Sequence, residues 1–355
     1  MTFAGETLAQ TNTSWPAFRL DPTHKGVAGI AEITTSPKLR WRFATGGVVE
    51  SSAAVVDGVL YQGTFNRALF ALDARTGIVK WKFPVGGLLR SSPSVVAGTV
   101  YFGADDNMFY AVDAKSGTKR WSFALGGGGE QSSPTVAHGK VYFGAFDQNV
   151  YALDANTGRE VWRFRTGAGI LSSPAVIDGK LFIGSIDSRI YALEAGTGQP
   201  IWQFKTRGQI FSSPAIADER VCIGSDDGNV YCLEAATGRL IWRFNTGLPV
   251  FSSPAIVDNT VYVGSHTGFV YALDADSGNL KRKRFINGAV FSSPAVSKSH
   301  IYIGSSDGRL YALKRTNGDI VWSFRAGGRV WTSPTLVEGM LYFGSHDGFI
   351  RAIGE

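Results

Sequence analysis

Residues 171–205 read LSSPAVIDGKLFIGSIDSRIYALEAGTGQPIWQFK. Four short apolar runs stand out: Ala175-Val-Ile, Leu181-Phe-Ile, Ile190-Tyr-Ala-Leu and Ile201-Trp-Gln-Phe. Each is rich in β-branched and aromatic residues, and each is bounded by Asp-Gly, Gly-Ser-x-Asp or Thr-Gly, which is turn chemistry between strands. No apolar spacing of 3.6 residues runs for a helical length. One unit of about 40 residues therefore supplies four antiparallel strands.

The unit repeats along the chain. Ser-Ser pairs begin at Ser51, Ser91, Ser132, Ser172, Ser212, Ser252 and Ser292, and the pattern returns as Thr332-Ser333-Pro334. The spacing is 40 residues throughout except for one interval of 41, which leaves no room for an inserted domain or lid. Four-stranded units of this length form β-propeller blades, whose sheets pack face to face around a channel. The fold class is all-β, an eight-bladed propeller occupying residues 38–355, preceded by a lead-in segment, residues 1–37. The last unit stops after its third strand, whereas Leu39-Arg-Trp-Arg-Phe43 has a fourth-strand pattern with no preceding three. Residues 38–44 are therefore expected to pair with residues 348–353 and close the ring without a long free edge.

Composition narrows the function classes. The chain has 355 residues with a formal net charge of +6, only 18% charged residues, and 44 glycines. This is a turn-rich chain with a core. Its excess charge is too small and dispersed for a nucleic-acid signature. No apolar stretch is long enough for a membrane helix. Met1 to Gln10 has neither a basic nor an apolar region of the signal-peptide kind. Two cysteines exclude a disulfide scaffold and a four-thiolate metal site.

A second signature spans the turn between strands three and four: Ala71-x-Asp73-x-x-Thr76-Gly77-x-x-x-Trp81. Its indole positions are Trp41, Trp81, Trp121, Trp162, Trp202, Trp242 and Trp322. The acidic residue caps turn amides, glycine takes the positive φ, and the indole packs between sheets. This pattern resembles the tryptophan-docking motif of the pyrroloquinoline-quinone (PQQ) repeat propellers, over nearly the whole chain from Lys38 to Glu355. The lead-in Trp15-Pro-Ala-Phe-Arg-Leu-Asp-Pro-Thr-His-Lys-Gly26 is similar to the segment that precedes the first blade in many bacterial members.

The resemblance implies one of two functions. Quinoprotein dehydrogenases hold PQQ and calcium over the channel, and BamB-like scaffolds of the bacterial cell envelope bind protein partners without catalysis. The dehydrogenases are longer, carry large insertions, and typically place adjacent cysteines beside the cofactor. Here Cys222 and Cys232 lie ten apart, and the acidic residues mostly recur at turn positions. The expected function is a non-enzymatic, BamB-like scaffold that binds a protein or peptide through its top face. A PQQ- and calcium-dependent dehydrogenase and a small-ligand sensor are the alternatives. No cofactor, metal or catalytic residue is assigned, a monomer is expected, and the resemblance favours a periplasmic or envelope location.

The Ser-Ser pairs invite a nucleophile reading, but a nucleophile needs a unique base and orienting partner, and eight equivalent copies mark strand starts. The informative positions are those where the repeat stops repeating. Before each Ser-Ser pair the blades carry Glu50, Arg90, Gln131, Leu171, Phe211, Phe251, Phe291 and Trp331, half polar and half aromatic. His266 and His346 occupy a variable slot in the turn between strands two and three, on the same face. These residues are the candidate binding mouth; the alternative is that they fold inward and plug the funnel. His138 and His300 fall at turns, where exposure is expected.

Blade six reads Leu280-Lys-Arg-Lys-Arg-Phe285, with Arg282 in the indole position. Lys281, Arg282, Lys283, Arg284, Lys314 and Arg315 form a candidate basic patch, serving either edge protection or docking of an acidic partner or head groups. Cys222 and Cys232 are expected to face each other across two strands. A disulfide is one reading, and two free thiols that refill the volume of an aromatic ring and a methyl group is the favoured one.

Overall fold

The computed structural model describes residues 14–26, 32–129 and 132–355. The strands form eight four-stranded antiparallel sheets arranged as propeller blades. Blade four is representative, with strands Ala175–Ile177, Lys180–Ser185, Arg189–Glu194 and Pro200–Lys205 running from the channel outward. Period-two alternation alone would leave one face of a sheet wet. Here the second and third strands are buried on both faces, because each blade is sandwiched by its neighbours.

Ring closure follows the expected register within one residue. Lys38–Ala44 pairs with Phe349–Gly354, from Lys38 opposite Gly354 to Ala44 opposite Phe349. The eighth blade is thus built from both ends of the ring.

The Ser-Ser pairs form two sets of hydrogen bonds. In each pair the second hydroxyl accepts the amide of the equivalent serine in the preceding blade at 2.8–3.1 Å, and Ser333 N closes the circle on Ser52 Oγ. The first hydroxyl accepts the amide of the second-strand glycine in its own blade at 3.0–3.4 Å, and Thr332 Oγ1 does so in blade eight. These hydroxyls are committed to the scaffold. Ser213→Ala leaves the buried Ser173 amide without its acceptor, and a loss of about 1–3 kcal/mol is expected in chemical denaturation. An unchanged midpoint would show that the ring is incidental.

The docking indoles join blade to blade. Six of them donate Nε1 to the alanine carbonyl of the next blade's turn at 2.8–3.1 Å. Gly198 shows why the motif needs glycine: its φ is +74°, and a Cβ there would meet Trp162 at 2.6 Å. Trp322 has no such alanine, because the third strand of blade eight ends at Gly354. Its Nε1 instead bonds Ile33 O at 3.1 Å, and Ile33 N is held by Tyr302 Oη at 2.8 Å.

Residues 15–26 of the lead-in are part of the propeller's interior. The free edges of the innermost strands leave backbone groups that need partners. Trp15 bridges Val55, and Pro16, Pro22, Thr23 and Gly26 accept the amides of Val95, Val176, Ile216 and Val296. Arg19 donates to Pro254 O and Pro294 O, and His24 Nε2 lies 3.3 Å from Thr135 Oγ1. Seven of the eight blades thus contact one short peptide inside the ring.

Candidate functional site

Two residue slots build the mouth. The first precedes each Ser-Ser pair. The second, in the turn between strands two and three, holds Phe65, Asp105, Phe146, Ile186, Asp226, His266, Ser306 and His346. A backbone bond fixes one slot against the other: the second-slot amide donates to the carbonyl two residues before the first-slot residue, as in Asp105 N to Leu88 O at 2.9 Å and His266 N to Pro249 O at 3.0 Å. The frame is repeated, so only side chains differ around the rim.

Those side chains make a continuous arc. Phe211 meets Phe251 at a centroid distance of 4.4 Å, and His266 sits between Phe251 at 4.5 Å and Phe291 at 4.1 Å. Phe291 stacks on Trp331 at 4.3 Å, and Trp331 meets His346 edge-on at 4.4 Å. His346 Nε2 then lies 3.3 Å from Glu50, in ion-pair range without hydrogen-bond alignment. Arg90 completes the run, pairing with Glu50 at 2.9 Å and with Asp105 at 3.2 Å while covering the Phe65 ring. The rings lean on one another around the rim, and every described first-slot residue, Leu171 included, is half-buried. Gln131 lies outside the described residues.

Burial shapes the charge state. It lowers the pKa of His266, and burial together with Arg329 lowers that of His346, so both rings are neutral near pH 7. Burial raises the pKa values of Glu50 and Asp105 against the opposing pull of Arg90. The mouth therefore offers aromatic faces, two neutral imidazoles and one shared guanidinium. Phe65, Asp105 and Ser306, whose Oγ accepts Trp331 Nε1 at 2.9 Å, went unassigned in the sequence. They occupy the same slot as the two histidines, so aligning that slot across all blades would have found them.

Other expectations change. Cys222 and Cys232 face each other as the register requires, but they are joined as a disulfide with Cα atoms 4.1 Å apart, not left as free thiols. Directly opposed positions bring the sulfurs together, and both residues are wholly buried inside blade five. His300 is buried against Glu32 and not exposed, because the lead-in covers that turn. Arg282 does take the indole position, opposite Ala272. Three of the six basic-patch residues are tied down within the chain: Lys281 to Asp274 at 3.1 Å, Arg284 to Asp319 at 2.5 Å and Arg315 to Asp258 at 2.7 Å. The last two of these pairs join blades six and seven where the indole is missing.

Residues 23–231, more than half of the chain, match a family described as the beta-propeller of beta-alanine-activating enzyme. The chain belongs to this propeller family. Residues 284–354 match a second family, described as outer membrane protein assembly factor BamB, and the PQQ-repeat character of the propeller rests on that match together with the structural likenesses. The fold is similar to BamB from Moraxella catarrhalis, with a TM-score of 0.78, 19% identity, and coverage of 90% of this chain and 100% of that one. It is also similar to quinohemoprotein alcohol dehydrogenase from Comamonas testosteroni, at 0.84 and 16%, covering 96% and 80%. A computationally designed protein, Ika8, gives 0.77 and 18%, covering 91% and 100%. At these identities the likeness is one of fold. No curated protein matches the chain.

Among the described residues, the mouth side chains do not make a donor set for calcium beside a quinone. Among the described residues no three His, Cys, Asp or Glu side chains come together to hold a metal. Two of the mouth carboxylates, Glu50 and Asp105, share Arg90 as their ion-pair partner, and the third, Asp226, is exposed. The disulfide lies within blade five and away from the rim. No described helix is long and apolar enough to cross a membrane.

Proposed function

We propose that this propeller is a non-enzymatic, BamB-like scaffold that binds a segment of a protein partner at its upper mouth, as a monomer and without a cofactor. The observation that carries the reading is the unbroken arc from Phe211 to Asp105, in which four aromatic first-slot residues interleave with two neutral histidines and end in a charged pair. Half-buried aromatics that already support one another contribute contact area at low ordering cost, which is how interface hot spots work. The charged end gives such a segment a direction. The disulfide in blade five and the likeness to BamB support an oxidising, cell-envelope location.

The test is combined substitution of Phe251, Phe291 and Trp331 by alanine. Affinity capture from a cell-envelope extract, quantified by mass spectrometry, is expected to lose its specific species at least about tenfold with the melting transition retained. Retention of every captured protein places binding away from the mouth.

A further inference from the structure

Blade six departs from the repeat at neighbouring positions along its upper edge, outside the mouth. Leu248 stands where the other seven blades have glycine or alanine. At Gly87 and Gly208 a Cβ would come within 2.4 and 2.5 Å of the following turn's backbone, and the largest side chain any other blade carries there is the methyl of Ala168. Here the loop carries a leucine, and leaves it 50% exposed. Phe285 stands where blades four, five and seven have Lys205, Asn245 and Arg325, and it is 49% exposed. It pairs across the strands with Phe269 at a ring distance of 5.2 Å. Both exposed residues flank the turn from Ser265 to Gly268: Ser265 Oγ donates to Leu248 O at 3.2 Å, and the Phe285 ring lies against Gly268.

The charge around this strip is also altered. Six other blades carry aspartate in the turn, and five of those carboxylates accept the third-strand tyrosine at 2.5–2.7 Å, in blades two to five and in blade seven. Blade six has Thr267 instead, whose hydroxyl lies 3.2 Å from Tyr271 Oη, and Tyr271 Oη donates to Thr246 O at 3.2 Å. A negative charge is thereby removed beside Phe269. A positive one is kept: Lys283, at a fourth-strand position where Arg42, Lys82, Arg163 and Arg243 stand in other blades, is exposed and places Nζ 4.8 Å from the centre of the Phe269 ring. An apolar strip with a cation over it and no carboxylate in its turn complements an apolar side chain flanked by acids.

We propose that the upper edge of blade six, with Leu248, Phe269, Phe285 and Lys283, docks a peptide segment of a partner protein in which an apolar side chain sits between acidic residues. This goes beyond the mouth reading and requires none of Phe251, Phe291 or Trp331. The strip offers only a few side chains beside the mouth and a single exposed lysine over the rings, which suits a short peptide better than a lipid surface.

Selection of displayed random dodecapeptides on the full-length chain is expected to enrich sequences with Leu or Phe between Asp or Glu. A synthetic peptide of that class should bind the Leu248→Gly, Phe285→Asn double variant at least about tenfold more weakly. Both substitutions restore residues that other blades carry, so the melting transition is expected to stay in place. The mouth triple variant should keep the peptide within about twofold, which separates this proposal from the mouth reading. Enrichment of peptides lacking acids, absence of enrichment, equal binding to the double variant, or loss in the mouth variant alone overturns it. So does sedimentation with phosphatidylglycerol vesicles that the double variant abolishes while the peptide still binds.

Discussion

Deleting residues 1–45 is expected to abolish the cooperative thermal transition and shift the protein to aggregates on size exclusion. The deletion removes the fourth strand of blade eight, which pairs from Lys38 with Gly354 to Ala44 with Phe349. It also removes Trp41, whose indole bonds Ala74 O at 2.8 Å, and Ile33, which supplies the acceptor for Trp322. The innermost strands would regain free edges that the lead-in now covers, and exposed edges template aggregation. A milder variant keeps the argument testable if nothing soluble is recovered. Trp41→Ala leaves the strand in place but opens a cavity between blades eight and one, with an expected cost of about 3–5 kcal/mol. A truncated chain that melts within a few degrees of the full chain would show that seven blades and a partial eighth suffice.

Acid sensitivity should concentrate at His24. Burial, reinforced by the nearby Arg19 charge, lowers its pKa from 6.5 to about 3. The ring is therefore neutral in the folded protein, while the unfolded chain takes up a proton as pH falls through 6.5. Between these values the unfolded state binds more protons, so stability falls as the solution is acidified from pH 6.5 toward 3. At 1.36 kcal/mol per unit the contribution lost approaches roughly 4–5 kcal/mol at the lower limit. His24→Gln cannot titrate, so its stability should decline less steeply than that of the parent over this range. Parallel profiles for the two proteins would mean that His24 leaves its buried site without unfolding the ring.

Both predictions draw in part on the lead-in, the part of the molecule least legible in the sequence. The forty-residue period exposed the blades, the closure strand and the common face of the two mouth slots, because each is a local pattern copied many times. Thr332 illustrates how far that copying goes: it replaces a serine but keeps the hydroxyl that accepts Gly344 N at 3.1 Å. Trp15 to Gly26 has no second copy to be compared with. Its contacts span up to 275 residues, as between Arg19 and Pro294, and no spacing rule reaches that far. The sequence placed Glu50, Arg90, His346 and Trp331 at the mouth, but not the order in which they touch, since neighbours on the rim lie forty residues or a whole ring apart.

Architecture, blade count, register and closure were therefore written in the chain, since a strand's period and a turn's glycine act over a few residues and recur with the repeat. Tertiary structure alone selected the disulfide over two thiols, gave Trp322 its acceptor in Ile33, threaded the lead-in through the ring and ran the mouth aromatics into one arc. Those outcomes depend on which side chains meet once eight sheets close on themselves, and ring closure brings together residues that local chemistry cannot connect.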